Sequence, residues 1–246
     1  ISLLILSSVT ILKNSIEDEI KNNSRVLLGG DLELSTKNEA LNLRFLNKLK
    51  ESFFISEIVE FTSIIKTKNE ENQTTRIKVI DNFYPLVGKV VVEPANSLEI
   101  LKTMPNTILI DETTQKNLDL KLGERIKIQN TTFEVIGITK RLPDIGGFFI
   151  FGDQALIHKS SLEDLKINNL GTFLRFKYKL TKKDNKKKLP GIISNYKNLE
   201  IKYPEDISQN VKKAIENFIY FLSIISASAI LISGIGLKNS LFSFLS

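Results

Sequence analysis

"FIYFLSIISASAILISGIGL", residues 218–237, runs for twenty positions without a charged side chain, in a 246-residue chain that is 25% charged and carries a net charge of +6. At 1.5 Å rise per residue, twenty residues of helix cover about 30 Å, the thickness of a bilayer's hydrocarbon core. A helix buried in a water-soluble domain seldom stays free of charge for so long, because one of its edges meets water. The stretch is therefore expected to span a membrane. Within it, Ser226, Ala229, Ser233 and Gly236 follow at spacings of three, four and three, which puts small residues along one helix face. Lipid gives no reason for such a stripe, whereas close helix–helix packing does. These four are the candidate packing residues within the membrane.

The other end of the chain is similar. "ISLLILSSVTIL", residues 1–12, is also uncharged, and the sequence opens without methionine, as though a longer apolar run had been cut. A signal peptide would show a basic segment before this run and a small-residue cleavage site after it, and neither is visible. Ile5, Val9, Leu12, Ile16 and Ile20 carry one apolar stripe out of this segment into the polar "KNSIEDEIKNNS". Ile207, Val211, Ala214, Phe218, Leu222 and Ile225 do the same in reverse, beginning in polar sequence and ending inside the second apolar run. Pro204, Glu205 and Asp206 suit a helix start, since proline loses nothing in the first turn and acids complement the positive end of the dipole. Two membrane helices that extend outward as paired stalks are expected, with Ile16, Ile20, Ile207, Val211, Ala214 and Phe218 as the stalk-coupling residues. Unrelated amphipathic helices lying on the domain are the alternative.

Between the stalks the pattern changes to strands and short helices. "RVLLGGDLELST" breaks a helix at Gly29-Gly30 and then alternates Leu32 and Leu34 with polar residues, as a half-buried strand does. Leu41, Phe45, Leu46 and Leu49 share one helical face. "SEIVEFTSIIKTK" and "QTTRIKVIDNF" are expected strands joined by a polar turn. "TILIDETTQKNLDL" reads as a strand followed by a helix capped by Asp111 or Thr113, and "KLGERIKIQNTTFEVIGITKR" as a hairpin turning at Gln129-Asn130. Gly146-Gly147 make a flexible joint before another strand. "KKLPGIISNYKNLEIKYP" supplies a helix and a last strand. The fold class is α+β.

Catalytic chemistry is sparse. His158 is the sole histidine and cysteine is absent, which removes thiolate nucleophiles, Cys-ligated zinc and disulfide staples. His158 is expected to be an ordinary residue at a strand end. There is no G-x-S-x-G and no G-x-x-x-x-G-K-[ST], so neither a hydrolase elbow nor a phosphate-cradling loop is present. No cofactor, metal site or enzymatic activity is expected, and any nucleotide that drives this protein is bound by a partner. "KYKLTKKDNKKK" places seven lysines between Lys177 and Lys188. It reads as a solvated hairpin tip, with anionic lipid as the functional alternative. Nucleic acid does not suit a membrane-anchored chain without stacking aromatics in this cluster.

"RVLLGGDLELST" after a membrane helix, "VIDNFYPLVGKV", "LDLKLGERIKIQNTTFEVIGITKRLPDIGGFFIFGDQALI" and "FLSIISASAILISGIGLKNSLFSFL" occur in an order and spacing that resembles YbbP-type ABC transporter permeases. These belong to the FtsX-like group that includes MacB and LolC/LolE. The resemblance covers essentially the whole chain and is most specific over Leu118 to Ile157. It implies an extracytoplasmic domain made of a βα-rich subdomain with a β-rich one inserted, flanked by stalk and transmembrane helices. The corresponding division is 1–23 for a truncated first membrane helix and stalk, 24–88 and 171–204 for the two halves of the βα-rich subdomain, 89–170 for the insert and 205–246 for the second stalk and membrane helix. It further implies a non-catalytic subunit of the bacterial plasma (inner) membrane, paired with a cytoplasmic ABC ATPase. Such a permease converts ATP-driven closure into movement of the outer domain and acts on lipids or other amphiphiles. Membrane lipids, and a second permease copy or half, are the other expected partners. Complete members carry further membrane helices, so the chain is expected to be a piece cut at both ends. A membrane-tethered sensor or scaffold is the rival from a different class.

Overall fold

Residues 53–66 form the strand on which the rest of the head is assembled. The computed structural model of the chain describes residues 23–144, 153–165, 173–184 and 198–245. The chain separates into two compact units, Arg25–Pro204 (the head) and Ile1–Ser24 with Glu205–Ser246.

In chain order the head contains β1 (Leu32–Lys37), α1 (Leu43–Lys50), β2 (Phe53–Lys66), β3 (Asn72–Ile80), β4 (Val91–Glu93), α2 (Ser97–Thr103), β5 (Thr107–Asp111), α3 (Glu112–Asn117), β6 (Arg125–Ile128), β7 (Thr131–Arg141), β8 (Gln154–His158), β9 (Arg175–Lys182) and β10 (Glu200–Lys202). All ten strands join one mixed sheet in the order β10-β1-β9-β2-β3-β8-β5-β7-β4, with β6 bridging β2 and β7. The fold is α+β, as the pattern of the sequence requires.

Strand β2 serves two neighbourhoods. Its first half, Phe53–Glu60, pairs antiparallel with β9, and its second half, Val59–Lys66, pairs with β3 and then β6. The pairings β2-β3-β8-β5-β7-β6-β2 close a ring around a core that includes Phe61, Ile65, Ile77, Ile108, Ile128, Phe133, Val135 and Ile157. On the other side of β2, strands β9, β1 and β10 pair in succession, and α1 covers their apolar face with Phe45, Leu46 and Leu49. Burial of these three side chains stabilises the head by about 1.5–3 kcal/mol each. Asn42 starts α1 by accepting the Phe45 amide at 2.8 Å, and Asp111 starts α3 by accepting that of Thr114 at 2.8 Å. The stretch 89–106, which carries no pattern used above, forms β4 and α2 on a third cluster with Ile58, Tyr84, Leu101 and Leu156.

One sequence expectation is corrected. The lysine run was expected to be a solvated tip, yet Lys179 is 3% exposed and lies within β9, as does Lys177. The alternation of the strand hides Tyr178 and Leu180 on one face and these two lysines on the other, and both faces are covered. The Gly146-Gly147 joint and the helix of 187–197 lie outside the described residues.

In the second unit, α4 (Pro204–Leu245) is a single helix of 42 residues, about 63 Å long. Pro204 opens it, with Glu205 and Asp206 in the first turn. Its segment Glu216–Gly236 has a mean hydropathy of 2.2 and is long and apolar enough to cross a membrane, and only 6% of that window is buried. A helix at the centre of a soluble domain would be mostly covered. Ser223 and Ser228 return their hydroxyls to the carbonyls of Ile219 and Ile224, at 2.8 and 2.9 Å, so these polar groups are satisfied within the helix.

Candidate functional site

The chain enters the head through helical residues 23–28, which stop at Gly29-Gly30. The Gly30 amide reaches back to Arg25 O at 3.2 Å and the Gly29 amide to Val26 O at 3.0 Å, with Gly29 at φ +79°. This is the Schellman arrangement, which favours glycine because the left-handed conformation costs a Cβ-bearing residue. Space demands it too, since a Cβ on Gly29 would stand 2.8 Å from Cβ of Asp144. Gly88 is similarly confined, 2.5 Å from Pro143 Cβ and 2.9 Å from Val26 Cγ1 when a Cβ is added. The end of the helix is thus pressed between the 143–144 segment and β9.

Beneath this helix end lies a buried ion cluster. The ammonium of Lys179 donates to Leu28 O at 2.5 Å, one of the carbonyls a helix terminus leaves without a partner. A cation at a helix C-terminus also complements its dipole. The same ammonium pairs with Glu33, whose other oxygen stands 4.0 Å from Lys202. Lys78 Nζ lies 2.5 Å from Asp144 Oδ2 and 3.2 Å from the Tyr84 hydroxyl, which itself donates to Asp144 Oδ1 at 2.6 Å. Lys177 pairs with Glu60 at 2.7 Å. Three lysines (78, 177 and 179) therefore face three carboxylates (Glu33, Glu60 and Asp144), and the cluster is neutral. Nearer the surface, Arg25 holds Asp31 at 2.6 Å, and Asp31 accepts the Lys182 amide at 2.9 Å.

Register explains why these groups meet. Glu33 lies opposite both Lys179 and Lys202, Lys179 is opposite Ser56, and Glu60 is opposite Lys78. Directly opposite residues point to the same face, so the charges of five strands are brought together beneath the incoming helix.

The ionisation of the cluster follows from this packing. Burial pushes Glu33 upward, but Lys179, helped by Lys177 and Lys202, outweighs it and holds the carboxyl below its ordinary range. Glu60 is likewise lowered, burial being overcome by Lys177 and Lys78. Asp144 is held far below the usual carboxylate value because Lys78 and Lys179 overcome its burial, with hydrogen bonds from Lys78 and Tyr84 adding to them. Burial pulls Lys78 downward against Asp144 and Glu60, while Lys179 rises because Glu33 and Asp144 outweigh its burial. Tyr84 is raised well above its usual value by burial and by Asp144, so it remains a donor.

Such an arrangement ties the helix end to the strands beneath it. Among the described residues no group of His, Asp and Glu is placed to hold a metal ion. His158 ends β8 with Nδ1 2.9 Å from Ser160 Oγ and caps the short turn that follows.

The residues singled out in the sequence fall as follows. Ile16 and Ile20 lie outside the described residues, as do the side chains of Val211 and Ala214 within α4. Ile207 is buried, at 3% exposure, and Phe218 is exposed, at 59%. Of the small-residue stripe, Ser226 is buried and its hydroxyl has no partner among the described residues, whereas Ala229, Ser233 and Gly236 are exposed.

A family model for the MacB-like periplasmic core domain matches residues 2–216. The chain belongs to that family. The MacB-like head is accordingly the extracytoplasmic part of an FtsX-like ABC transporter permease, and the apolar segment of α4 fits a membrane component. The fold is shared with the periplasmic region of MacB from Actinobacillus actinomycetemcomitans, at 14% identity and a TM-score of 0.51, covering 79% of this chain and 98% of that one. The extracellular domain of the noncanonic ABC-type transporter YknZ from Gram-positive bacteria aligns at 11% identity and a TM-score of 0.44, over 70% of this chain and 99% of its own length. No curated relative matches.

Three of the stretches that carry the resemblance converge on the junction: Gly29 and Glu33 from the first, Tyr84 and Gly88 from the second, Pro143 and Asp144 from the third. Sequence reasoning missed Lys78, Lys179, Glu33, Tyr84 and Asp144 as a unit. The available signal was parity, since Lys177 and Lys179 fall on the strand face opposite Tyr178 and Leu180.

Proposed function

We propose that this chain serves a permease in which a separate cytoplasmic ABC ATPase drives movement of the head through its two connections to the membrane. The reading includes export or extraction of lipid-like or amphiphilic substrates at the bacterial inner membrane. The observation that supports it is the position of Glu33. Through Lys179 this carboxylate is tied to Leu28 O, where the chain enters, and through Lys202 to the strand that leads into α4, where it leaves. A junction that fixes entry and exit to one buried point transmits displacement without slack, because close-packed interiors deform little.

The division of the head into 24–88 with 171–204 around an inserted 89–170 belongs to the same proposal. The pairing of β1 with β9 and β10 supports it, and β2 is the strand both parts share. An amphiphilic substrate is supported by a cleft of about 400 Å³ lined by Phe61, Leu174 and the exposed Phe173 together with Lys37, Arg76 and Arg175, beside the Lys177–Glu60 pair. Apolar and cationic groups side by side suit a molecule with an acyl part and an anionic head.

Ile16, Ile20, Ile207, Val211, Ala214 and Phe218 are assigned to stalk coupling, with Ser226, Ala229, Ser233 and Gly236 packing against a neighbouring helix in the membrane. Membrane lipids and a second permease copy or half are the partners this arrangement calls for. Replacing Val211 and Phe218 with glutamate in the full-length permease with its ATPase should abolish ATP-dependent extraction of a fluorescent phospholipid analogue from proteoliposomes while leaving ATPase binding intact. Undiminished extraction by that variant would contradict the coupling.

A further inference from the structure

At the end of β2 away from the junction the charges are organised differently. Fourteen residues of strand, roughly 45 Å at 3.3 Å each, separate the Phe53 end, beside which the chain enters, from the Lys66 end. There a cleft of about 660 Å³ opens between the β2–β3 turn and the β6–β7 hairpin. It is lined by Lys66, Lys68, Arg125 and Lys127 with Thr132, and Glu70 is its only acid. No apolar side chain lines it.

The strand register makes this arrangement costly. Lys66 lies directly opposite Lys127, and Lys127 directly opposite Thr132. Like charges directly opposite on neighbouring strands destabilise a sheet. Among the described residues none of the four cations forms an ion pair; Arg125 has Glu134 across from it in the β6–β7 pairing, without ion-pair contact. Elsewhere on the same sheet the protein neutralises its lysines, as Lys78, Lys177 and Lys179 show. Four cations against Glu70 in the lining and Glu134 across from Arg125 leave a net charge of +2 in a concave site of ligand size.

We infer that this cleft binds a phosphate-bearing group with two or more negative charges. The ammonium groups of Lys66, Lys68 and Lys127 and the guanidinium of Arg125 meet the phosphate oxygens, and the Thr132 hydroxyl donates to them. Arginine offers the planar fork that phosphate accepts, and the lysines act as point charges around it. A lining without apolar residues leaves no place for an acyl chain, which would remain outside the cleft. An extended acidic peptide fits less well, because its backbone and apolar side chains would find no pockets.

The test is calorimetric titration of the full chain in a nonionic detergent with three probes: inorganic pyrophosphate, dihexanoyl phosphatidic acid and hexa-aspartate. Saturable binding of either phosphate probe is expected, weakening about 30-fold in Lys66→Gln/Lys127→Gln and unchanged in Lys48→Gln/Lys116→Gln, which removes the same charge at exposed sites elsewhere. Equal affinity for pyrophosphate and phosphatidic acid identifies phosphate alone as the recognised group, and tighter phosphatidic acid identifies a lipid-borne source; both support the site. The thermal midpoint of Lys66→Gln/Lys127→Gln is expected at or above that of the parent, which separates lost binding from lost folding. Unsaturable binding of both phosphate probes, equal weakening in the two double variants, or hexa-aspartate binding more tightly than either phosphate would overturn the proposal.

Discussion

Two groups of lysines lie on one sheet and differ in everything except residue type. At the junction, Lys78 and Lys179 are buried and Lys177 is partly buried, each is paired with a carboxylate, and Lys179 is bonded to the backbone of the incoming helix. At the far end of β2, Lys66, Lys68 and Lys127 are exposed and outnumber the single acid beside them. The first group is a device for holding position and the second a surface awaiting a counter-charge. Removing a charge should therefore have opposite consequences in the two places.

The largest effect is expected from Asp144→Ala. It leaves Lys78 without its partner and the Tyr84 hydroxyl without an acceptor, at sites where the side chains of Lys78 and Asp144 are 1% and 2% exposed. Breaking one side of a buried pair costs about 3–5 kcal/mol. Denaturant unfolding of the chain checks this, and a loss below about 1 kcal/mol would mean the cluster adds little to the fold. Gly29→Ala comes next, at about 1–3 kcal/mol, because the left-handed backbone and the approach to Asp144 both oppose a methyl group. An unchanged unfolding midpoint for that variant would show that the helix end moves freely.

Acid should distinguish the two regions as well. Glu33, Glu60 and Asp144 are all held below their ordinary values in the folded state. Carboxylates lowered in this way stabilise the fold above their unfolded values, near 4, and that contribution disappears as pH falls through the lower folded values. Thermal midpoints should thus hold from pH 7 to about 5 and drop steeply below about 4, with a shallower drop in Asp144→Asn. Equal slopes for parent and variant would exclude Asp144 as a source of the acid sensitivity. The smallest effect is that of Lys66→Gln/Lys127→Gln on stability, a gain of a few tenths of a kcal/mol from relieving a like-charge pair. A loss of more than about 1 kcal/mol would mean that these lysines hold the fold.

How much of this could be read from the sequence depends on the distance between partners along the chain. The stop at Gly29-Gly30, the Asp111 cap and the turn at Gln129-Asn130 are local patterns that appear in the structure, as does the face of Phe45, Leu46 and Leu49, whereas Leu41 falls one residue before the Asn42 cap and joins the same cluster from outside the helix. The apolar segment of α4 was legible for the same reason, since length and composition define it. The ion cluster was not. Lys179 and Glu33 are 146 residues apart and Lys78 and Asp144 are 66 apart, so no window of sequence contains both partners. Without them, Lys177 and Lys179 are indistinguishable from the exposed lysines that follow. The sharing of β2 between two neighbourhoods is hidden likewise, because a 14-residue strand looks the same whether it has one set of partners or two.

The account rests on a buried cluster that holds the entering helix end to the sheet of the head, and amide hydrogen exchange tests that directly. The amides of Gly29, Gly30 and Asp31 donate to Val26 O, Arg25 O and Leu180 O, so they report whether the helix end stays in place. They should exchange slowly in the parent and markedly faster in Glu33→Gln, which weakens the tie of Lys179 between Leu28 O and Glu33. Fast exchange of these amides in the unmutated protein, or rates unchanged in Glu33→Gln, would contradict the account.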